Sequence, residues 1–228
     1  MICSRRALAR FLPALALSLV ALTGQPAQAA EPQVKFVTSE GDFVVEVAAD
    51  KAPKTAANFL QYVRDGFYDG TIFHRVIPNF MIQGGGFDEH YAKKPTRAPI
   101  AHEGRVALAH GLKNVVGSIA MARTADPNSA TSQFFINVAN NAQLDPVPIP
   151  DGDPVPEFHY LGQTYKNVPR ANLVSNPQLL GYTVFGQVVS GMDTVEKISH
   201  LATGAAGPFA SDVPKTMVVI RSARIIQP

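Results

Sequence analysis

"FHRVIPNFMIQGGGF", Phe73 to Phe87, sets an arginine inside an apolar run, follows it with Phe80, Met81 and Gln83, and closes on three glycines. A half-buried strand has no ordinary need of a guanidinium there, so the first question is what Arg75 faces. Strand alternation puts Phe73, Arg75 and Ile77 on one face and His74 and Val76 on the other. In "FMIQ", Met81 and Gln83 point together. In "QFFIN", Gln133 and Phe135 share a face, leaving Phe134 and Ile136 for the buried side. An arginine, two glutamines, a methionine and phenylalanines lining one shallow apolar surface have the composition of a peptide-binding groove rather than of a hydrolase.

The rest of the chain supplies the frame. Glu31 to Val47 alternates around "SEGD" and reads as a hairpin with one wet face. A helix is expected from Pro53 to about Asp65, with Ala56, Phe59, Leu60 and Val63 as its apolar stripe and Gly66 as its stop. Short strand-like runs follow around Thr71–Ile77, Phe80–Gln83, Gly117–Ala122, Gln133–Val138 and Tyr182–Val188. A second short helix carries Met192, Val195, Ile198 and Leu201, and "TMVVIRSARII" reads as a terminal strand. Many short strands and two helices indicate an all-β barrel or sandwich with helices as caps. One segment stands apart: Pro146 to Gly181 holds seven prolines and no periodic pattern, and is expected to be a long structureless loop.

Residues 1–29 read as a cleavable signal peptide. Arg5, Arg6 and Arg10 form a positive region, Phe11 to Leu22 a short apolar core, and Ala27-Gln28-Ala29 a small-x-small cleavage pattern. The core is too short to span a bilayer comfortably, so no membrane span is expected after cleavage. Removal takes three arginines and no acid, and the formal charge falls from +2 to −1. A near-neutral chain is a poor match for nucleic acid. Cys3 leaves as well, so residues 30–228 hold no thiol and depend on one hydrophobic core. Such a chain suits an oxidising compartment, here the periplasm.

Other chemistries find little support. The chain has no G-x-S-x-G elbow, and His102-Glu103 with His110 lack the spacing of a helical zinc pair. No Lys-Ser/Thr follows Gly84-Gly85-Gly86, so the glycines read as a bend or a close backbone approach rather than a phosphate loop. His74 reads as a satisfied structural histidine rather than a base.

"FHRVIPNFMIQGGGF" and "GSIAMARTADPNSATSQFFINV" together resemble the cyclophilin family of peptidyl-prolyl cis/trans isomerases, in particular its exported bacterial members. The resemblance runs from about Val34 to the C-terminus, interrupted by the proline-rich insert. It implies a closed eight-stranded antiparallel β-barrel capped by two α-helices, with neither metal nor organic cofactor. By position, Arg75 matches the catalytic arginine, and Phe80, Met81, Phe135 and Leu144 match the proline pocket. Gln83 and Gln133 match its polar contacts, and Ala122 and Arg123 the segment that hydrogen-bonds the substrate backbone. Tyr182 stands at the site where many members carry histidine. Gln143 stands where the family carries Trp or another aromatic, which removes part of the wall that grips cyclosporin. The implied partners are proline-containing peptides and unfolded exported proteins, bound by a monomer. The competing reading is a cyclophilin-like module that holds client chains with turnover incidental.

Overall fold

The computed structural model describes residues 30–226, so the signal peptide expected over 1–29 lies outside the described residues. Eight strands close into a barrel. In chain order they are β1 (Gln33–Thr38), β2 (Asp42–Val47), β3 (Thr71–Ile77), β4 (Met81–Asp88), β5 (Ser118–Met121), β6 (Phe134–Asn137), β9 (Val184–Ser190) and β12 (Val219–Ile226). Around the barrel the order is β1-β12-β3-β4-β6-β5-β9-β2, and every neighbouring pair is antiparallel. Of the two architectures that periodicity left open, the barrel is the one adopted. Closure leaves the barrel itself without an open strand edge.

The interior is aromatic. Phe36, Phe43, Phe59, Phe73, Phe134, Phe185 and Tyr68 are all buried in one cluster. Phe36 stacks on Phe43 at 4.8 Å between ring centroids, and Phe59 lies 4.9 Å from Phe185. Each such ring contributes about 1.5–3 kcal/mol by leaving water, so this cluster dominates the stability of a domain without disulfides.

Helix α1 (Pro53–Arg64) supplies Phe59 together with Ala56, Leu60 and Val63, the stripe read from the sequence. Pro53 opens it, and Gly66, at φ 63°, closes it. Its first-turn amides have no local cap. They are met from a distance by the buried Glu103 carboxylate, which accepts from the Lys54 and Thr55 N–H groups at 3.1 and 2.8 Å and from the Thr55 hydroxyl. Helix α4 (Met192–Ser199) buries Val195 and Ile198 in the same cluster. Two shorter helices, α2 (Gly104–Ala109) and α3 (Arg170–Val174), accompany the two that were expected.

Two expectations need correction. Simple alternation put Phe73 beside Arg75, but Phe73 is 1% exposed and packs in the barrel interior with Val76. The cause is a β-bulge. Phe73 pairs with Gly84 and Arg75 with Gln83, so two steps along β3 match one along β4. His74 is the extra residue, and it inverts the parity of everything after it. The segment 146–181 is also not structureless. It contains a hairpin, β7 (Val155–Tyr160) and β8 (Gln163–Val168), followed by α3, around a small core of Val155, Phe158, Leu173 and Leu179. The buried positions of β7 fall three apart rather than two. No strand period was therefore visible in the sequence.

The remaining pair, β10 (Thr203–Ala206) and β11 (Phe209–Pro214), forms a second hairpin outside the barrel.

Barrel closure sets a tight limit at Gly186, where β9 crosses β2. A Cβ at this position would stand 2.3 Å from the Glu46 carbonyl oxygen. Gly186→Ala should cost about 2–3 kcal/mol, because backbone on both strands must move to admit the methyl. The expected readout is a lower urea midpoint with an unchanged m-value; an unshifted midpoint would show that the strands are not locked together there.

Candidate functional site

A cleft of about 580 Å³ opens on the outer face of β3, β4 and β6. All ten residues singled out in the sequence line it: Arg75, Phe80, Met81, Gln83, Ala122, Arg123, Gln133, Phe135, Leu144 and Tyr182. The bulge explains the first of these. With Phe73 turned inward, Arg75 stands outward from the barrel with its side chain 45% exposed.

A chain of polar contacts orients the guanidinium. The Gln133 Oε1 accepts from Gln83 Nε2 at 3.0 Å, and Gln83 Oε1 accepts weakly from Arg75 Nη1 at 3.5 Å. Gln133 fits only because Gly86 has no side chain; a Cβ there would lie 2.4 Å from Gln133 Cγ. Gly85, at φ 77°, similarly leaves room for Tyr68 and Phe134. The glycine triplet is thus a close backbone approach, as the sequence indicated. On its other side, Arg75 Nε lies 3.9 Å from Asp212 Oδ2, a loose ion pair between half-exposed groups.

Beside the guanidinium is an apolar cup. Met81, Ala120, Phe135 and Val184 form its buried floor, and Phe80, Leu144 and Tyr182 pack around them. Tyr182 meets Phe135 edge-on at 5.4 Å. Arg123 stacks over the Tyr182 ring at 4.8 Å, and its Nε and Nη2 donate to the Gly181 carbonyl at 3.0 and 2.9 Å. The same guanidinium reaches the Thr124 and Pro177 carbonyls. Its donors are therefore engaged in holding the wall. Gln143 is exposed, donates to Asn141 Oδ1 at 3.3 Å and does not line the cleft.

The opposite wall does not figure among the residues read from the sequence. Pro208 to Asp212, in the β10–β11 hairpin, face Arg75 across the cleft. Phe209 anchors that wall, packing 5.0 Å from Phe87 and 5.3 Å from His74. The available signal was slight: a Gly207-Pro208 turn dipeptide between two short runs.

His74 lies under Phe209, 4% exposed, with no partner for Nδ1, so it is less fully satisfied than expected. Burial pushes its pKa down from 6.5 to about 4; a hydrogen bond to the Ile72 backbone opposes this and the neighbouring Arg75 charge adds to it. It is therefore neutral near pH 7 and poorly placed to act as a base. An unfolded chain takes up this proton near 6.5 while the folded site resists until about 4. The stabilisation is thus complete above pH 6.5 and is lost as the pH falls from there toward 4. Between pH 7 and 5, wild type should lose on the order of 2 kcal/mol more than His74→Phe, read from urea midpoints. Equal losses in the two proteins would show that His74 titrates normally.

Comparison with known proteins agrees with this geometry. Residues 33–225 match the model of the family described as cyclophilin type peptidyl-prolyl cis-trans isomerase/CLD. The chain is 44% identical to peptidyl-prolyl cis-trans isomerase B of Escherichia coli over 192 residues, covering 84% of this chain and 98% of that one. It is 41% identical to peptidyl-prolyl cis-trans isomerase A of Dickeya dadantii over 211 residues, covering 92% and 93%. Among solved structures, a Cryptosporidium parvum cyclophilin type isomerase, crystallised in the presence of the dipeptide Ala-Pro, superposes with a TM-score of 0.58. It is 22% identical and covers 86% of this chain and 99% of its own, a likeness of fold. With the barrel, the two long motifs and relatives above 40% identity in agreement, this chain belongs to the cyclophilin-type peptidyl-prolyl cis-trans isomerase family.

Proposed function

We propose that this chain is an exported, periplasmic isomerase that accelerates X–Pro rotation in folding envelope proteins, with Arg75 as its catalytic donor. The carrying observation is an outward guanidinium, braced by Gln83 on one side and approached by Asp212 on the other, beside an apolar cup of Phe80, Met81, Phe135 and Leu144. An X–Pro amide resists rotation by about 18–20 kcal/mol because the nitrogen lone pair is delocalised into the carbonyl. At the twisted transition state that delocalisation is lost, and the nitrogen becomes pyramidal and basic. A guanidinium donor aimed at it gains strength as the bond twists, so it stabilises the transition state more than the bound substrate. The cup of Phe80, Met81, Phe135 and Leu144 holds the proline ring while the carbonyl side turns. This route needs no nucleophile, proton shuttle or metal. Uncatalysed, the step takes tens to hundreds of seconds at 25 °C, slow enough to limit folding.

Arg75→Ala should lower kcat/KM by roughly 10²–10³-fold while peptide affinity falls far less, since the cup remains. Arg75→Lys should recover little, because an ammonium lacks the planar fork. Exchange NMR on one X–Pro peptide reads turnover and binding together. Full turnover by Arg75→Ala would sink the catalytic assignment, and a wild type that binds without isomerising would make the chain a binding module.

Export rests on the leader pattern. Protein recovered from the envelope fraction should begin at Ala30, the residue after Ala27-Gln28-Ala29. N-terminal sequencing decides this, and a chain still starting at Met1 there would replace cleavage with a retained anchor.

A further inference from the structure

The folded insert carries a cleft of its own. It measures about 290 Å³, and Phe158, Tyr160, Leu161, Tyr165 and Leu179 supply its apolar lining. Its polar rim is made of amides, Asn172, Asn176 and Gln178, with no charged side chain among the lining residues. Such a lining suits neither a nucleic acid nor an anionic lipid surface. It does suit an uncharged stretch of polypeptide, whose backbone can pair with amides while a large side chain enters the aromatic groove.

The tip of the insert is unusual in the same direction. Leu161 and Gly162 form the two-residue turn between β7 and β8, both left-handed, at φ 49° and 76°. Asparagine or glycine is favoured in the first of these positions. Leucine there is unfavourable in backbone conformation, and it is also 81% exposed, with Tyr165 45% exposed beside it. Folding of the insert alone does not account for that choice of residue.

The cleft is held in a fixed relation to the one at Arg75. The Leu144 carbonyl accepts from the Tyr182 N–H at 2.9 Å, and the Leu179 carbonyl accepts from the Val147 N–H at 2.9 Å, which closes the neck of the insert. Arg105 donates to the Val147 and Leu179 carbonyls, and Arg123 to those of Pro177 and Gly181. Leu179 lines the outer cleft and Tyr182 the inner one. Three residues apart, their Cα atoms are separated by at most about 11 Å.

We propose that the outer cleft is a second binding site for the polypeptide whose X–Pro bond lies at Arg75, taking a large apolar or aromatic side chain about three to six residues from the proline. This rests on the isomerase reading given above, and it assigns the insert a role in selecting unfolded clients over short peptides. The site acts through affinity alone, because it lies outside the cup and does not touch the rotating bond.

The test uses the chain from Ala30 and three substrates: an X–Pro tetrapeptide, a longer peptide with Phe five residues from the proline, and the same peptide with Gln in place of that Phe. Wild type should show a KM for the Phe peptide roughly tenfold below that for the Gln peptide, as expected for partial burial of one ring. In Leu161→Asn/Tyr165→Gln, the two KM values should converge while kcat and tetrapeptide turnover stay at wild-type levels. In wild type, NMR titration with the Phe peptide should shift Leu161 and Tyr165 resonances, a readout independent of whether the variant folds. Equal KM values in wild type, a Phe preference that survives in the variant, or unshifted Leu161 and Tyr165 resonances would each overturn the proposal. So would sedimentation showing a dimer that the double variant abolishes, since the occupant would then be a second copy. A wild type unable to turn over the tetrapeptide would instead overturn the isomerase reading itself.

Discussion

One extra residue in β3 is the constraint on which the site depends. Without the bulge at His74, the strand could not place Phe73 in the barrel and Arg75 in the cleft while keeping Val76 inside. A regular strand would have to choose between a filled core and an outward arginine, since its side chains alternate without exception. The bulge removes that conflict at the cost of one unpaired residue. That residue is then buried as a neutral imidazole between Phe87 and Phe209. The aromatic packing that covers it also fixes the β10–β11 hairpin, so a local irregularity in pairing ends up positioning the far wall of the cleft.

The same economy appears on β4. Three glycines in succession weaken a strand, because they carry more backbone entropy and pack nothing. Here each omitted side chain makes room for something specific: Phe73 at Gly84, Tyr68 and Phe134 at Gly85, and Gln133 at Gly86. Three of these four neighbours are core aromatics, and the fourth, Gln133, is the first link in the polar chain that reaches Arg75. Fold and site therefore share their supports, and a change that repacks the core near Phe134 is felt at the guanidinium.

This sharing decides what could be read in advance. The helices were legible because α1 and α4 bury single stripes and the first has Pro and Gly at its ends. The groove residues were legible because Met81, Gln83, Gln133 and Phe135 alternate as ordinary strands do, and because long motifs tied them to a family. Phe73 was misplaced because a bulge leaves no mark in a hydrophobic pattern. The Pro208–Asp212 wall and the fold of the insert were missed for a different reason. Their apolar residues are few and irregularly spaced, and they are buried by contacts distant in sequence: Phe209 against His74, Val155 and Phe158 against Leu173 and Leu179.

Both parts of the structure that the sequence left unseen, the Pro208–Asp212 wall and the folded insert, are connections rather than barrel strands, and this follows from the physics of the frame. A closed barrel with a filled aromatic interior has little freedom to change shape, since altered volume inside costs stability directly. Connections carry no such restriction, and lengthening one adds only a slowly growing closure entropy. Specificity can therefore be rebuilt at the rim of the cleft without disturbing the donor at its centre. Arg123 shows how such an addition is made rigid. Its guanidinium bridges the insert's Gly181 and Pro177 carbonyls while stacking on Tyr182, whose ring closes the cup against Phe135. An insertion anchored in this way is held rigidly behind the wall that Tyr182 forms rather than tethered loosely beside it.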